Sequence, residues 1–169
     1  MYYFIVLLRI LAAPLIFILP LQSIILSVFL DLFDAEFAHK VVSKKKYELI
    51  DKNIDLWFYI NIMIYSYFYY PDYKVSLFIL FIYRFIGQVI YYLGKNRRIL
   101  LFFPNFFEGM FILIFLGKNY HPSIITGQTF YLILFIIFII KIFQEWFLHI
   151  ADLSIREDFL KIKKRSWRK

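Results

Sequence analysis

Apolar residues run through the chain in six long stretches separated by short charged or proline-containing breaks, and this pattern predicts helices at about 2–20, 22–39, 50–70, 75–94, 99–117 and 128–151. A span of about 20 apolar residues at about 1.5 Å rise per residue crosses a hydrocarbon core about 30 Å thick. The expected fold is therefore an all-α integral membrane protein, a bundle of six transmembrane helices. Pro20 marks the turn between the first two stretches, which share little length and read as short spans. The first stretch has no basic leader before it and carries Arg9 inside it, so it reads as a helix of the bundle rather than a cleaved signal.

Composition strengthens the bilayer reading. The 169 residues are 62% hydrophobic and 23% aromatic, with a mean hydropathy of +0.68, well above the apolar share of an ordinary soluble domain. Cysteine is absent, which removes disulfides, thiolate zinc sites and cysteine nucleophiles together. The net charge of +8 is mostly topology. Lys40, Lys44, Lys45, Lys46 and Lys52 follow the second stretch; Lys95, Arg97 and Arg98 follow the fourth; and Arg156, Lys161, Lys163, Lys164, Arg165, Arg168 and Lys169 form the tail. The intervening loops carry only Lys74 and Lys118. Basic residues collect on the cytoplasmic side of short loops, so both termini are expected in the cytoplasm, as in an integral protein of the cytoplasmic (plasma) membrane. Basic residues divided among membrane loops argue against a nucleic-acid partner. The organisation expected is one transmembrane domain over 1–155 and a basic tail over 156–169.

Four carboxylates break this apolar pattern: Asp31 and Asp34, then Asp51 and Asp55. On helices the i, i+3 and i, i+4 spacings put each pair on one face. If the second and third helices form a hairpin, all four converge at the cytoplasmic boundary. Carboxylates there are costly without a counter-charge, and hard oxygen donors suit Mg²⁺, Mn²⁺ or Ca²⁺. A two-cation site is expected, with phosphate or pyrophosphate as the group the ions handle and a carboxylate accepting a proton from an attacking hydroxyl. Arg9 and Arg84 read equally well as phosphate contacts and as partners of a carboxylate or the interface. His121 and His149 have no partners at ligand spacing, and Gln88, Asn105, Glu108 and Glu145 read as polar glue between helices.

The order Asp31, Asp34, Ala35, Ala38, His39, Asp51, Asp55 resembles the signature of the CDP-alcohol phosphatidyltransferases, D-x-x-D-G-x-x-A-R, eight residues, G-x-x-x-D-x-x-x-D. The upstream VLLRILAAPLIF is similar to the family's first-helix pattern through Arg9 and Pro14, and Arg84 resembles an arginine common in its fourth helix. The resemblance implies a homodimeric transferase of phospholipid biosynthesis that moves a phosphatidyl-type group from a CDP-linked donor to an alcohol and releases CMP. It implies Mg²⁺ or Mn²⁺ held by Asp31, Asp34 and Asp51. Asp55 would be the base, with metal contact as well. Ala35, Ala38, His39, Lys40 and Arg84 would bind substrate.

Ala35 and His39 stand where the family pattern has glycine and arginine, and sixteen residues separate Asp34 from Asp51 where the pattern has seventeen. Tyr47 or Glu48 takes the place of the second glycine. An imidazole does not clamp a phosphate bidentately as a guanidinium does, which leaves that task to Lys40 or its neighbours and points to a divergent donor or acceptor. The competing readings are a degenerate non-catalytic relative or small transporter, and, against the compact spacing of the aspartates, an aspartate-rich membrane prenyltransferase.

Overall fold

A computed structural model describes residues 1–94 and 96–149, so the basic tail over 156–169, Lys95 and the last two positions expected in the sixth helix lie outside the described residues. Among the described residues the chain is all-helical, with six α-helices and no strand. They are α1 Tyr2–Ala12, α2 Pro20–Ala38, α3 Lys44–Tyr69, α4 Lys74–Gly94, α5 Phe106–Asn119 and α6 Gly127–His149. The contacts divide into two compact units, one over Met1–Pro71 holding α1 to α3, the other beginning at Asp72 and holding α4 to α6.

In the first unit the leading helix is shorter than the apolar pattern expects. Pro14 has no N–H and its ring clashes with the preceding turn, so α1 ends at Ala12 and the chain continues as a 3₁₀ turn over Pro14–Phe17. The break strands two carbonyls, and side chains take both. Trp57 Nε1 donates to the Ile10 carbonyl at 3.1 Å, and Ser23 Oγ donates to that of Ala12 at 2.6 Å. Pro20 then opens α2, where its missing N–H costs nothing. The third helix starts six residues before the expected position because Ser43 caps it, its side chain accepting from Lys46 N. The polar KKKYEL run is thus helical, and Asp51 and Asp55 sit beyond the first turn of α3. α1 packs against both α2 and α3, while the backbones of α2 and α3 make little contact with each other.

The fifth helix of the second unit also falls short of its apolar stretch. The segment Arg97–Phe102 is a 3₁₀ turn, Pro104 interrupts the backbone ladder, and Asn105 caps α5 by accepting from Glu108 N. At 14 residues α5 is about 21 Å long, short of a full crossing. Gly87 of α4 lets Phe103 pack closely, since a Cβ there would lie 2.3 Å from Phe103 Cβ. Polar residues of this unit pair as helix glue: Glu108 accepts from Asn105 at 2.8 Å and Lys141 at 3.3 Å, and Arg84 meets Glu145 at 3.1 Å.

Among the described residues two stretches are long and apolar enough to cross a membrane, Pro71–Gly94 and Gly127–Trp146. Large apolar side chains such as Phe78, Ile79, Ile86, Leu132, Phe135 and Phe143 are exposed along α4 and α6. An apolar surface this continuous is what lipid contact requires and what water penalises. Of the six crossings expected from the sequence, these two meet the length and composition of a span among the described residues; α1 and α5 are cut short by prolines, and α2 and α3 carry the charges.

Candidate metal centre

The last turns of α2 carry Asp31 and Asp34, and the second and third turns of α3 carry Asp51 and Asp55. The structure brings all four together, and the group at their centre is Arg9 of α1. Its Nη1 donates to Asp34 Oδ2 and to Asp51 Oδ1, the latter at 2.9 Å; its Nη2 donates to Asp31 Oδ1 at 2.8 Å and Asp55 Oδ1 at 2.9 Å. The planar fork of a guanidinium serves four acceptors at once, which a lysine ammonium with three donors does not. α1, rather than direct packing of α2 on α3, therefore joins the two aspartate pairs.

The four carboxylates are not equivalent. Asp34 is sealed, its side chain 2% exposed, with Oδ1 accepting from the Tyr47 hydroxyl at 2.8 Å and Oδ2 from Arg9. Burial, with the charges of Asp51 and Asp34 adding, pushes the Tyr47 phenol well above its ordinary range, so it stays protonated and donates. Asp31 is the open member, its side chain 54% exposed. Lys52 spans the other pair, its Nζ 2.9 Å from Asp51 Oδ2 and 2.8 Å from Asp55 Oδ2.

Asp31, Asp51 and Asp55 each offer an oxygen lying within 4.8 Å of the others, so these three could hold a metal ion. Three hard anionic oxygens converging from two helices fit Mg²⁺, Mn²⁺ or Ca²⁺ and not a soft metal. Asp34, sealed between Arg9 and Tyr47, stands outside this trio.

The other residues singled out in the sequence are dispersed. Ala35 and Ala38 are buried on α2, beside Asp34 and along the same helix. His39 is the C-cap of α2, its Nε2 3.8 Å from Glu36 Oε1, and Lys40 is exposed in the following turn. Arg84 belongs to the second unit, where it donates to the Phe103 carbonyl and pairs with Glu145. Of the two readings the sequence left open for Arg9, phosphate contact or carboxylate partner, the structure shows the second; two participants escaped the sequence reading, Tyr47 as the donor to Asp34 and Tyr2, whose hydroxyl is buried within electrostatic reach of Asp34, Asp51 and Arg9. Arg9 left a usable signal, being the one charge inside the first apolar stretch. Compared with known families, curated proteins and solved structures, the chain matches none.

Proposed function

We propose that this chain is a membrane transferase of phospholipid biosynthesis, moving a phosphatidyl-type group from a CDP-linked donor to an alcohol with release of CMP. The observation that carries the reading is the convergence of Asp31, Asp51 and Asp55 from two helices within 4.8 Å, in the order of the signature that the sequence resembles and one residue shorter between its two halves. The centre faces the cytoplasm, since Lys40, Lys44, Lys45 and Lys46 lie in the segment between its two halves. The chain is anchored in the membrane with both ends on that side, and two copies associate, as in the family.

Asp31, Asp51 and Asp55 would hold Mg²⁺ or Mn²⁺, and such an ion would supply charge neutralisation at the donor pyrophosphate. Asp55 takes the proton of the acceptor hydroxyl. Both its oxygens already accept a hydrogen bond, yet each retains a further lone pair. The acceptor oxygen bonds to the lipid-bearing phosphorus, the bond to the bridging oxygen breaks, and CMP leaves with that electron pair. Lys40 and His39, at the end of α2, meet the donor phosphates. Ala35 and Ala38 leave little side-chain bulk along its path.

Thermal unfolding of the detergent-purified protein with CMP or CDP-diacylglycerol, with Mn²⁺ or after chelation, tests this. Metal-dependent stabilisation that Asp31→Asn and Asp51→Asn both abolish is expected. A folded wild type that no cytidine ligand stabilises under any metal condition refutes the CDP chemistry. One observation favours a second reading, a non-catalytic relative: Arg9 already supplies a counter-charge to every aspartate. That reading predicts that Asp55→Asn leaves cellular function intact.

A further inference from the structure

The first unit carries a cleft of about 350 Å³ between α1 and α3, walled by Val6 and Ile10 on one side and by Ile50, Asn53, Ile54 and Trp57 on the other. It lies apart from the charged centre. The four α3 residues form a stripe at i, i+3, i+4 and i+7, while Asp51 and Asp55 project from a different stripe of the same helix. The cleft opens to the surface, with Ile10 and Trp57 each 41% exposed. The Trp57 indole N–H is already met by the Ile10 carbonyl at 3.1 Å, so the ring presents an apolar face and ties the two walls together. A cleft fixed in this way is formed before anything enters it.

Five apolar residues and one amide make a poor container for water. The exposed face of α1 beside the cleft carries Phe4, Leu7 and Leu11, an apolar surface suited to lipid. Lys46 continues the α3 stripe one turn before Ile50 and is exposed. From Lys46 to Trp57 the helix rises about 16 Å, about half of a hydrocarbon core about 30 Å thick. A cation at the mouth of an apolar trough one leaflet deep matches a molecule with an anionic headgroup and an acyl chain.

We propose that this cleft binds an anionic phospholipid of the cytoplasmic leaflet, one acyl chain lying between α1 and α3 and the headgroup phosphate at Lys46. The inference rests on the membrane location of the chain and on neither the metal centre nor the transferase chemistry. The lipid is a resident component, since the stripe that holds it is not the one that carries Asp51 and Asp55. In place, it braces the helix that supplies Arg9 against the helix that supplies those two carboxylates.

The test uses the detergent-purified full chain with Trp146→Phe and Trp167→Phe, which leave Trp57 as the one tryptophan. Phosphatidylglycerol and phosphatidylcholine, each brominated on one acyl chain, are titrated in turn, because bromine quenches an indole that it touches. Saturable quenching is expected, with phosphatidylglycerol effective at about five-fold lower concentration, the contribution of one lysine near an anionic headgroup. Lys46→Gln is expected to bring the two lipids level. Asn53→Phe, which fills the cleft from an exposed position, is expected to abolish saturation. Far-UV circular dichroism checks that each variant is folded; if Asn53→Phe is not, the Lys46→Gln comparison decides alone. Quenching that never saturates, or that a folded Asn53→Phe leaves unchanged, overturns the site and means unselective lipid contact. Equal potency of the two lipids in wild type, or a preference that survives Lys46→Gln, overturns the headgroup assignment and the proposal with it. Absence of quenching also overturns it, and means that a second copy or another segment of the chain covers Trp57. No metal or cytidine ligand enters the assay, so the transferase reading stands or falls separately.

Discussion

Replacing Arg9 with methionine removes the group that joins the two aspartate pairs while keeping a flexible apolar side chain of comparable length. The loss is unequally distributed. Asp31 is more than half exposed, and its ion pair falls in the range of surface pairs, about 0–1 kcal/mol. Asp34, Asp51 and Asp55 have side chains 2%, 11% and 16% exposed, so water cannot replace the guanidinium there. Tyr47 still donates to Asp34, and Lys52 still bridges Asp51 and Asp55. The desolvated carboxylates nonetheless lose their shared partner, and breaking a buried pair from one side costs about 3–5 kcal/mol. At about 2–4 °C per kcal/mol for a chain of this size, Arg9→Met should lower Tm by about 6–20 °C. Intrinsic tryptophan fluorescence in detergent, with divalent ions chelated, reads the transition. Arg9→Lys, which keeps the charge but cannot reach four acceptors, should fall between. Saturating Mg²⁺ should stabilise Arg9→Met more than wild type, because the ion supplies the missing positive charge. A Tm for Arg9→Met within about 2 °C of wild type would refute the hub role of the guanidinium.

Tyr47→Phe leaves Asp34 buried with one donor fewer and should cost about 1–3 kcal/mol in chemical or thermal unfolding. Mn²⁺ stoichiometry should not change, since Asp34 stands outside the trio. In the second unit Gly87→Ala places a methyl 2.3 Å from Phe103 Cβ, an atom that cannot move without its backbone. Overpacking of this kind costs about 1–3 kcal/mol. A thermal scan showing Gly87→Ala as stable as wild type would contradict that close approach.

The six helices were legible in the hydrophobic pattern because each apolar stretch is bounded by charges or prolines, yet their ends were less so. Pro14 and Pro104 lie inside apolar runs that hydrophobicity alone continues through, so α1 and α5 read longer than they are. Ser43 caps a run of lysines, which carries no hydrophobic periodicity, so α3 read shorter. The convergence of the four aspartates followed from spacings of three and four on consecutive helices. Their common partner did not, because a single arginine in an apolar helix gives no indication of which face it occupies or what that face packs against. Tyr47 was noticed only as a bulky residue in a glycine's place, and its bond to Asp34 depends on the early start of α3. Arg84 resembles a family position by sequence, and its partners Glu145 and Phe103 come from segments far along the chain that no local pattern connects to it.

The indole of Trp57 holding the Ile10 carbonyl fixes how far α1 reaches along α3. Ile10 directly follows Arg9, and Trp57 lies two residues beyond Asp55, so the anchor sits within one turn of the charges on both helices. Sliding α1 along its axis by even one residue's rise, about 1.5 Å, would break the anchor and carry the guanidinium out of reach of its acceptors together. The proline that shortens the first helix thus exposes the very carbonyl that sets its depth, and the alignment of a charged cluster depends on a neutral bond at its edge.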